Sequence, residues 1–416
     1  MFSDSWYVGV TTSARMGQKS ILQPAEKSHF GLRDASEKAI ASLFVRDAES
    51  DGAEPERADP ETGPSGASGS REANVPAANV VVTGAAGWLG QNLVRTLAGQ
   101  PARRRIRCLV SQRGDASLLE VIDPRIEVIA GDVRDPTVVD ELFDGIGHAS
   151  VLHAAGVIHP ARRVRELFDV NVGGTQLVLD RARRVGAARF VHISSNSPFG
   201  ANRSSADRFD EDSQFAPYMA YGRSKLEAEQ LVQRSYDRGD LATVIVRPPW
   251  FYGPFQPERQ TQFLAAIRRG RFPLVGPGTQ RRSMVYTGNL VQGVLLAEVV
   301  AAAPGHAYWI ADAEPYALRD VLETVRRALE DEGLSVSHRR PLPVPRIAGV
   351  VAEKLDAMTQ ASGRYVQLLH VLGELKDTIA CDISRARKEL GYEPAVALYD
   401  GMRVSVRWCL ERGDPL

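Results

Sequence analysis

The sequence predicts an α/β protein with a doubly wound parallel sheet and a smaller C-terminal lobe that binds the substrate. From Asn79 to Arg247, short apolar runs rich in β-branched residues alternate with amphipathic helical stretches. This alternation is typical of a parallel sheet that is covered by helices on both faces. After Arg247 the pattern is less regular and richer in proline and glycine, which indicates the additional lobe.

Length and composition limit the possible classes of function. At roughly 150 residues per domain, 416 residues correspond to two domains and an appendage. Lys and Arg total 51, as do Asp and Glu, and this balance argues against nucleic-acid binding through bulk charge. No apolar stretch reaches the ~18 residues of a membrane span, so no membrane partner is predicted. Three cysteines without a CxxC motif exclude a cysteine zinc site, and no metal is predicted. We expect a cytoplasmic protein that acts on a small molecule.

The chain divides into three predicted regions. Residues 1–75 form an N-terminal extension, whose segment 48–71 is rich in Gly, Pro, Ser and acidic residues and is predicted to be a disordered linker. This extension could be a regulatory arm, an over-extended start or a dispensable tail. Residues 76–248 form a dinucleotide-binding domain to which later segments return. Residues 249–416 form the substrate lobe.

The elements of the sheet domain follow from hydrophobic periodicity. Apolar β-branched runs predict strands at 79–83, 106–110, 126–129, 150–153, 190–194 and 242–247. Amphipathic spacing predicts helices at 88–97, 168–185 and 221–236.

A glycine-rich turn joins the first strand to the first helix. Gly84 permits a tight turn, Gly87 lets the backbone approach a pyrophosphate, and Gly90 allows close packing of helix and strand. The helix N-terminus supplies amides for the phosphates. This placement predicts dinucleotide binding. The other cofactor residues expected in the turn are Ala86, Trp88 and Leu89.

The segment after the second strand favours NADP over NAD. The acid that would bind the ribose 2′-hydroxyl of NAD is missing there, and no carboxylate precedes Asp115. Ser111 and Arg113 could instead hold a 2′-phosphate. After the third strand, Asp132 and Val133 are expected near the adenine, although Asp132 could simply be a turn aspartate.

Tyr221 and Lys225 are the candidate catalytic pair. They are four residues apart at the start of a predicted helix, so they share one face. An ordinary tyrosine has a pKa near ~10, and we expect the nearby ammonium to lower it so that Tyr221 can exchange a proton with a substrate oxygen. Hydroxyls after the fifth strand, at Ser194, Ser195 and Ser197, are expected at the same edge of the sheet.

With TGAAGWLG at 83–90 and YGRSK at 221–225 in this order, the sequence resembles the extended short-chain dehydrogenase/reductase family over residues 78–412. The resemblance implies a Rossmann fold, a homodimer and hydride transfer at a secondary alcohol or ketone. It makes Tyr221 the general acid/base, places Lys225 on the nicotinamide ribose and Ser195 on the substrate oxygen, with Ser194 or Ser197 as alternatives. Further cofactor contacts implied by it are His153, Ala154, Ala155 and Pro248.

Departures from the family pattern narrow the reaction. Asn196 and Ser197 stand where 4,6-dehydratases have an acidic pair, which disfavours dehydration. Trp250 offers an apolar wall of the kind found in steroid- and flavonoid-type members. Arg282 matches the diphosphate-binding arginine of nucleotide-sugar enzymes. We therefore expect a nucleotide-sugar oxidoreductase or epimerase, slightly ahead of a steroid- or terpenoid-like dehydrogenase. A non-catalytic NADP-binding regulator is disfavoured by the retained Tyr221.

One helical stretch raises a membrane-associated alternative. Residues 341–358 carry apolar side chains at near-helical spacing beside two basic residues. Such a stripe could line the mouth of a site for a lipid-like substrate, although a helix packed on the lobe explains most stripes of this kind.

Overall fold

The computed structural model describes residues 77–416 apart from 103, 162, 340 and 341. Its centre is a seven-stranded parallel sheet with the order β3-β2-β1-β4-β5-β6-β11. The strands are β1 (Asn79–Thr83), β2 (Arg105–Val110), β3 (Glu127–Ala130), β4 (Ala149–His153), β5 (Arg189–Ile193), β6 (Thr243–Arg247) and β11 (Ala307–Trp309). The predicted doubly wound parallel fold is therefore confirmed. The predicted linker at 48–71 lies outside the described residues.

Helices cover both faces of this sheet. In chain order, the α-helices of the sheet domain and of the lobe are α1 (Trp88–Ala98), α2 (Ala116–Glu120), α3 (Pro136–Phe143), α4 (Arg165–Phe168), α5 (Thr175–Arg184), α6 (Met219–Asp237), α7 (Glu258–Arg268), α8 (Thr287–Val299), α9 (Leu318–Asp331), α10 (Arg346–Ala361), α11 (Gln367–Glu374) and α12 (Leu398–Arg412). The strands are buried because their side chains alternate between two apolar layers, with Val80 and Val82 in one and Val81 in the other.

The helix predicted at 168–185 is interrupted in the structure. Helices α4 and α5 are joined by a π-helical turn at Asp169–Gly174. Asn171 in this turn is buried, and its amide pairs with both the N–H and the carbonyl of Val157. A Cβ on Gly174 would lie 2.7 Å from Val133, so the absent side chain lets the turn approach the loop after β3. These tertiary contacts override the helical periodicity.

The lobe after β6 is built from short strand pairs and three packed helices. The pairs join β7 (Trp250–Tyr252) to β10 (Met284–Tyr286), β9 (Arg281–Arg282) to β12 (Tyr316–Ala317), and β8 (Pro273–Val275) to β13 (Leu342–Val344). Helices α7, α9 and α12 enclose an apolar core of their own. Helix α8 packs on the sheet domain and β11 joins the central sheet, so the chain returns to the first domain twice after leaving it.

An apolar stripe on a helix usually packs against the rest of the protein, but the apolar stripe of helix α10 does not. It packs through Asp356, Gln360 and small residues, whereas Ile347 and Met358 are 67% and 70% exposed. The apolar stripe therefore faces solvent. Within the described residues, no helix combines the length and the hydropathy needed to span a membrane.

Candidate active site

The glycine turn between β1 and α1 has no room for side chains on its inner face. Gly84 has a φ of 67°, and a Cβ on it would lie 2.8 Å from the backbone of Ala155. A Cβ on Gly90 would lie 2.2 Å from the carbonyl oxygen of Gly84. Because both positions need glycine, the turn can bring β1, α1 and the end of β4 into close contact.

Helix α1 begins at this turn with free backbone amides. Gly87 is its exposed N-cap and supplies no capping side chain. Uncapped amides at a helix N-terminus suit phosphate oxygens, so the cradle fits the diphosphate of a dinucleotide. Ala86 is half-buried in the same turn and Leu89 is buried below it.

The side chain of Trp88 points to the lobe instead of the turn. Its ring centroid is 4.6 Å from that of Phe251, and its indole N–H donates to the carbonyl oxygen of Pro254 over 2.9 Å. Trp88 therefore ties the start of α1 to the loop that leads into α7. A contact of Trp88 with the cofactor would have to come from its backbone.

The segments that directly follow β2 and β3 carry both positively and negatively charged side chains. Ser111 and Arg113 are exposed there, and the hydroxyl of Ser111 donates to a carboxylate oxygen of Asp115 over 3.3 Å. Asp132 forms an ion pair with Arg134, whose hydrogen bond lowers the pKa of the Asp132 carboxyl. Val133 next to it is buried.

His153 at the end of β4 is fully occupied by structural contacts. Its Nδ1 lies 2.8 Å from the hydroxyl of Thr83, and its Nε2 lies 2.9 Å from that of Thr175. Burial lowers the pKa of His153 to about 3, so the ring is neutral. No ring nitrogen is left for a ligand, whereas the half-buried Ala154 and Ala155 line the edge of the sheet.

Tyr221 and Ser195 come together at the carboxyl end of the sheet. Tyr221 lies in the first turn of α6, and only 8% of its surface is exposed. Burial raises the pKa of the Tyr221 phenol to about 12, against a hydrogen bond from Ser195 and the charge of Arg259, which both lower it. The backbone N–H of Ser197 donates to the Ser195 hydroxyl over 3.2 Å, and Asn196 beside it is half-buried. Of the three candidate serines, Ser195 is therefore the one in contact with Tyr221.

Lys225 follows one helical turn later and is 5% exposed. Its ammonium donates to the carbonyl oxygen of Ile193 over 2.7 Å, and burial lowers its pKa to about 8. The structure does not support the expectation that Lys225 lowers the pKa of Tyr221. The pKa of Tyr221 depends instead on burial, on the hydrogen bond from Ser195 and on the charge of Arg259. The physical reason is that the ammonium is held against β5.

The substrate residues predicted from the lobe are both engaged in local contacts. The Trp250 indole donates to Gln260 over 3.3 Å, and its ring packs edge-on against Phe263. Arg282 is buried, donates to the carbonyl oxygen of Glu374 and lies 3.7 Å from the carboxylate of that residue. Pro248 is buried between β6 and β7.

A polar cluster beside Tyr221 was not predicted. Tyr365, from the loop between α10 and α11, shares an apolar cluster with Tyr221, and its hydroxyl lies 2.6 Å from Nδ1 of His159. Burial, followed by the charge of Arg259, lowers the pKa of His159 to about 3. His370 lies behind them, with its ring centroid 5.6 Å from that of Tyr365.

Helices α10 and α11 also form a polar network behind the start of helix α6. His370 and Gln360 both contact one carboxylate oxygen of the buried Asp356, over 2.9 and 2.8 Å. Gln360 also accepts a hydrogen bond from the backbone N–H of Ala220, immediately before Tyr221. Helix α10 therefore holds the first turn of α6, and the loop between α10 and α11 packs Tyr365 beside Tyr221. His159 could have been noticed six residues after His153, but no spacing rule connects Arg259 or Tyr365 to the site.

Comparison with known proteins identifies the family of this chain. The chain belongs to the NAD dependent epimerase/dehydratase family, which it matches over residues 80–311. It is an enzyme of the extended short-chain dehydrogenase/reductase type, as predicted.

Individual relatives differ in their substrates. The chain is 43% identical to the uncharacterized protein y4nL of Sinorhizobium fredii, covering 80% of this chain and 96% of the relative. It is 31% identical to 3 beta-hydroxysteroid dehydrogenase/Delta 5-->4-isomerase of Mycobacterium tuberculosis, covering 76% and 86%. Among solved structures, dTDP-glucose 4,6-dehydratase from Streptomyces venezuelae with NAD bound aligns with a TM-score of 0.63 at 24% identity, covering 80% of this chain and 98% of that one. The last likeness concerns the fold.

Proposed function

We propose that the protein is an NAD(P)-dependent dehydrogenase that acts on a secondary alcohol or ketone within an apolar, steroid- or terpenoid-like molecule. The observation that carries this proposal is the Tyr221–Ser195 pair, which is enclosed by apolar side chains at the carboxyl edge of the sheet. The apolar residues beside Tyr221 are Val164, Leu167 and Tyr365, with Phe168 packed against them.

Each catalytic residue has a defined task in this proposal. A dinucleotide whose diphosphate is held at the glycine turn would supply or accept the hydride through its nicotinamide. Ser195 orients the substrate oxygen by hydrogen bonding. In reduction, the Tyr221 hydroxyl donates its proton to that oxygen, and in oxidation the phenolate accepts it. Lys225, held by Ile193, stands one turn below Tyr221 where it can bind the nicotinamide ribose.

A nucleotide-sugar substrate is the second candidate. The match of Arg282 to the diphosphate-binding arginine of nucleotide-sugar enzymes favours it. In this chain, however, Arg282 is buried and already paired with Glu374. A diphosphate would have to displace that pair, which makes the apolar substrate the better proposal.

A turnover screen separates the two candidates. The panel contains a 3β-hydroxysteroid with oxidised cofactor, a 3-ketosteroid with reduced cofactor, and UDP-glucose and dTDP-glucose with each cofactor. We expect turnover of the steroids, which is measured by the absorbance of the reduced cofactor, whereas nucleotide-sugar products are measured by chromatography because epimerisation leaves the cofactor unchanged overall. Turnover of a nucleotide sugar without turnover of any apolar alcohol or ketone would contradict the proposal, and Arg282→Ala would then test the diphosphate site.

The proposed cofactor is NADP, with NAD as the alternative. Arg113 is the exposed cation at the end of β2, where a 2′-phosphate would lie, whereas the carboxylate of Asp115 beside Ser111 favours NAD. Arg113→Ala is expected to weaken NADP binding about tenfold or more through loss of a charge-assisted contact, and to change NAD binding little. Fluorescence titration of both reduced cofactors measures this difference. Equal weakening would remove the case for NADP.

The proposal also includes a homodimer, which the family resemblance implies for this chain. The chemistry attributed to Tyr221, Ser195 and Lys225 needs only one protomer.

A further inference from the structure

The exposed apolar side chains of the protein are concentrated in one stretch of the chain. Among the described residues, twelve large apolar side chains are exposed, and seven of them lie within residues 342–368. They are Leu342, Ile347, Val351, Leu355, Met358, Val366 and Leu368. We call these seven residues the apolar face. Single exposed apolar residues are ordinary on a protein surface, whereas a cluster of this kind marks an interaction surface.

Helix α10 presents opposite sides to the protein and to solvent. Its four residues in the apolar face follow one another at spacings of four, four and three residues, so they lie along one side of the helix. The buried side consists of Gly349, Ala352, Asp356 and Gln360. Gln360 accepts a hydrogen bond from the backbone N–H of Ala220, which ties this side to α6. The apolar face is therefore open to a partner without any change in how α10 packs.

The exposed charges within residues 342–368 are all positive. The three basic residues of this stretch are exposed, and they are Arg346, Lys354 and Arg364. Of the two acidic residues, Asp356 is buried, and Glu353 is half-buried and pairs with Lys376 over 2.9 Å. A surface that combines apolar side chains with positive charge alone is complementary to the headgroup region of an anionic bilayer. A second copy of this chain fits less well, because a twofold contact would bring the same positive charges together.

We propose that the apolar face binds the surface of a membrane that contains anionic lipids. Helix α10 lies in the plane of the interface, with its apolar side toward the acyl chains and with Arg346 and Lys354 at the level of the headgroups. A helix in this orientation does not need the length of a span. Because Gln360 holds the first turn of α6, the bilayer lies on the side of the molecule that carries Tyr221. This orientation suits an apolar substrate, but the binding itself does not depend on the proposed function.

Co-sedimentation of the full chain with vesicles tests this inference without an enzyme assay. One set of vesicles is phosphatidylcholine alone, and the other contains equal parts of phosphatidylcholine and phosphatidylglycerol. We expect the wild type to bind the anionic vesicles at least about tenfold more strongly than the neutral ones, because each basic residue near an anionic surface contributes about fivefold.

Two double variants separate the apolar contribution from the charged one. In Ile347→Gln with Met358→Gln, binding to anionic vesicles should fall at least about tenfold, since two apolar side chains no longer enter the bilayer. In Arg346→Gln with Lys354→Gln, the preference for anionic over neutral vesicles should fall about tenfold, while binding to neutral vesicles changes little.

Leu118→Gln with Val121→Gln is the matched control, because both residues are exposed and apolar but lie in the sheet domain. It should bind anionic vesicles as the wild type does, and all three double variants should keep the melting temperature of the wild type. Absence of binding to anionic vesicles, equal binding to neutral ones, or binding by Ile347→Gln with Met358→Gln that equals that of the control would overturn the inference. So would conversion of a dimer to a monomer by that variant in analytical ultracentrifugation, since a second copy would then cover the apolar face. Each of these outcomes leaves the proposed function intact, because turnover is not measured.

Discussion

Tyr221 is a neutral phenol at physiological pH, because burial raises its pKa to about 12. A neutral phenol can donate a proton at once to an oxygen that is gaining negative charge, so the site is ready for reduction of a ketone. Oxidation requires the phenolate, which the hydrogen bond from Ser195 and the charge of Arg259 favour by lowering the pKa of Tyr221.

Lys225 is expected to lower stability while it supports catalysis. Its pKa is about 8 in the folded protein against 10.5 for the ordinary side chain, so below pH 8 folding buries a charge. This destabilisation is fully present below pH 8 and disappears as the pH rises toward 10.5. At pH 7, Lys225→Met should therefore unfold with a free energy higher by about 1–3 kcal/mol, while losing activity.

Chemical denaturation of the wild type and of Lys225→Met between pH 7 and 10.5 measures this difference in the free energy of unfolding. The difference between variant and wild type separates the effect of Lys225 from that of the buried cysteines, whose pKa values burial raises to about 11 to 12. The difference should shrink between pH 8 and 10.5. A variant that is less stable at pH 7, or a difference independent of pH, would show that the ammonium is not buried as a charge.

Residues of the sheet domain could be predicted from the sequence, and those of the lobe could not. Tyr221, Lys225 and Ser195 follow from motifs at strand ends, where a parallel sheet gathers its ligands. Arg259 and Tyr365 come from segments whose position depends on how the lobe folds back. No local pattern encodes that position, and the same fold-back pairs Arg282 with Glu374.

At the scale of elements, the glycine turn determines whether the cofactor can bind. A Cβ on Gly90 would lie 2.2 Å from the carbonyl oxygen of Gly84 and 2.7 Å from the backbone of Ala85, neither of which can move without shifting β1 or α1. We expect Gly90→Ala to lower dinucleotide affinity at least about tenfold and to destabilise the fold by about 1–3 kcal/mol.

Gly114→Ala provides the comparison, because a Cβ there meets no atom within 4 Å. Its cofactor affinity and melting temperature should match those of the wild type. Fluorescence titration measures the cofactor affinity of the two variants, and thermal denaturation measures their melting temperatures. If Gly90→Ala binds the dinucleotide as well as Gly114→Ala does, α1 does not pack as closely on the turn as the structure indicates.

The elements themselves were predicted well where periodicity decides them. The six predicted strands agree with β1 to β6 within two residues at each end, because buried β-branched runs have few alternatives. The predicted helix at 168–185 contains a π-helical turn, since Asn171 and Gly174 make contacts with loops distant in sequence. Tertiary contacts of this kind leave no mark on the hydrophobic pattern.

At the scale of the whole molecule, the catalytic unit is expected to be independent of the N-terminal extension. Within the described part of the chain, residues after 77 build both apolar layers of the sheet and the core of the lobe, and the composition of residues 48–71 offers little apolar surface to add to them. Deletion of residues 1–74 should therefore leave the melting temperature within a few degrees and the turnover unchanged. Differential scanning calorimetry and the steroid assay check both values. A large fall in the melting temperature would show that the extension is part of the fold.

The division of the chain into a sheet domain and a lobe explains which features could be predicted from the sequence and which could not. The sheet domain is defined by local patterns, and its class could be predicted. The lobe begins after β6, but α8 and β11 return to the sheet domain. The pairing of Arg282 with Glu374 depends on how the lobe folds back, so the sequence could not show it.

Deuteride transfer tests the central claim most directly. A 3-ketosteroid is incubated with reduced cofactor that carries deuterium at the transferable position, and the alcohol formed is analysed by mass spectrometry. The wild type should place one deuterium on the carbinol carbon in each turnover. Tyr221→Phe should bind the cofactor normally and form product about 10²- to 10⁴-fold more slowly. Alcohol without deuterium, or unchanged turnover in Tyr221→Phe, would contradict hydride transfer with Tyr221 as the proton donor.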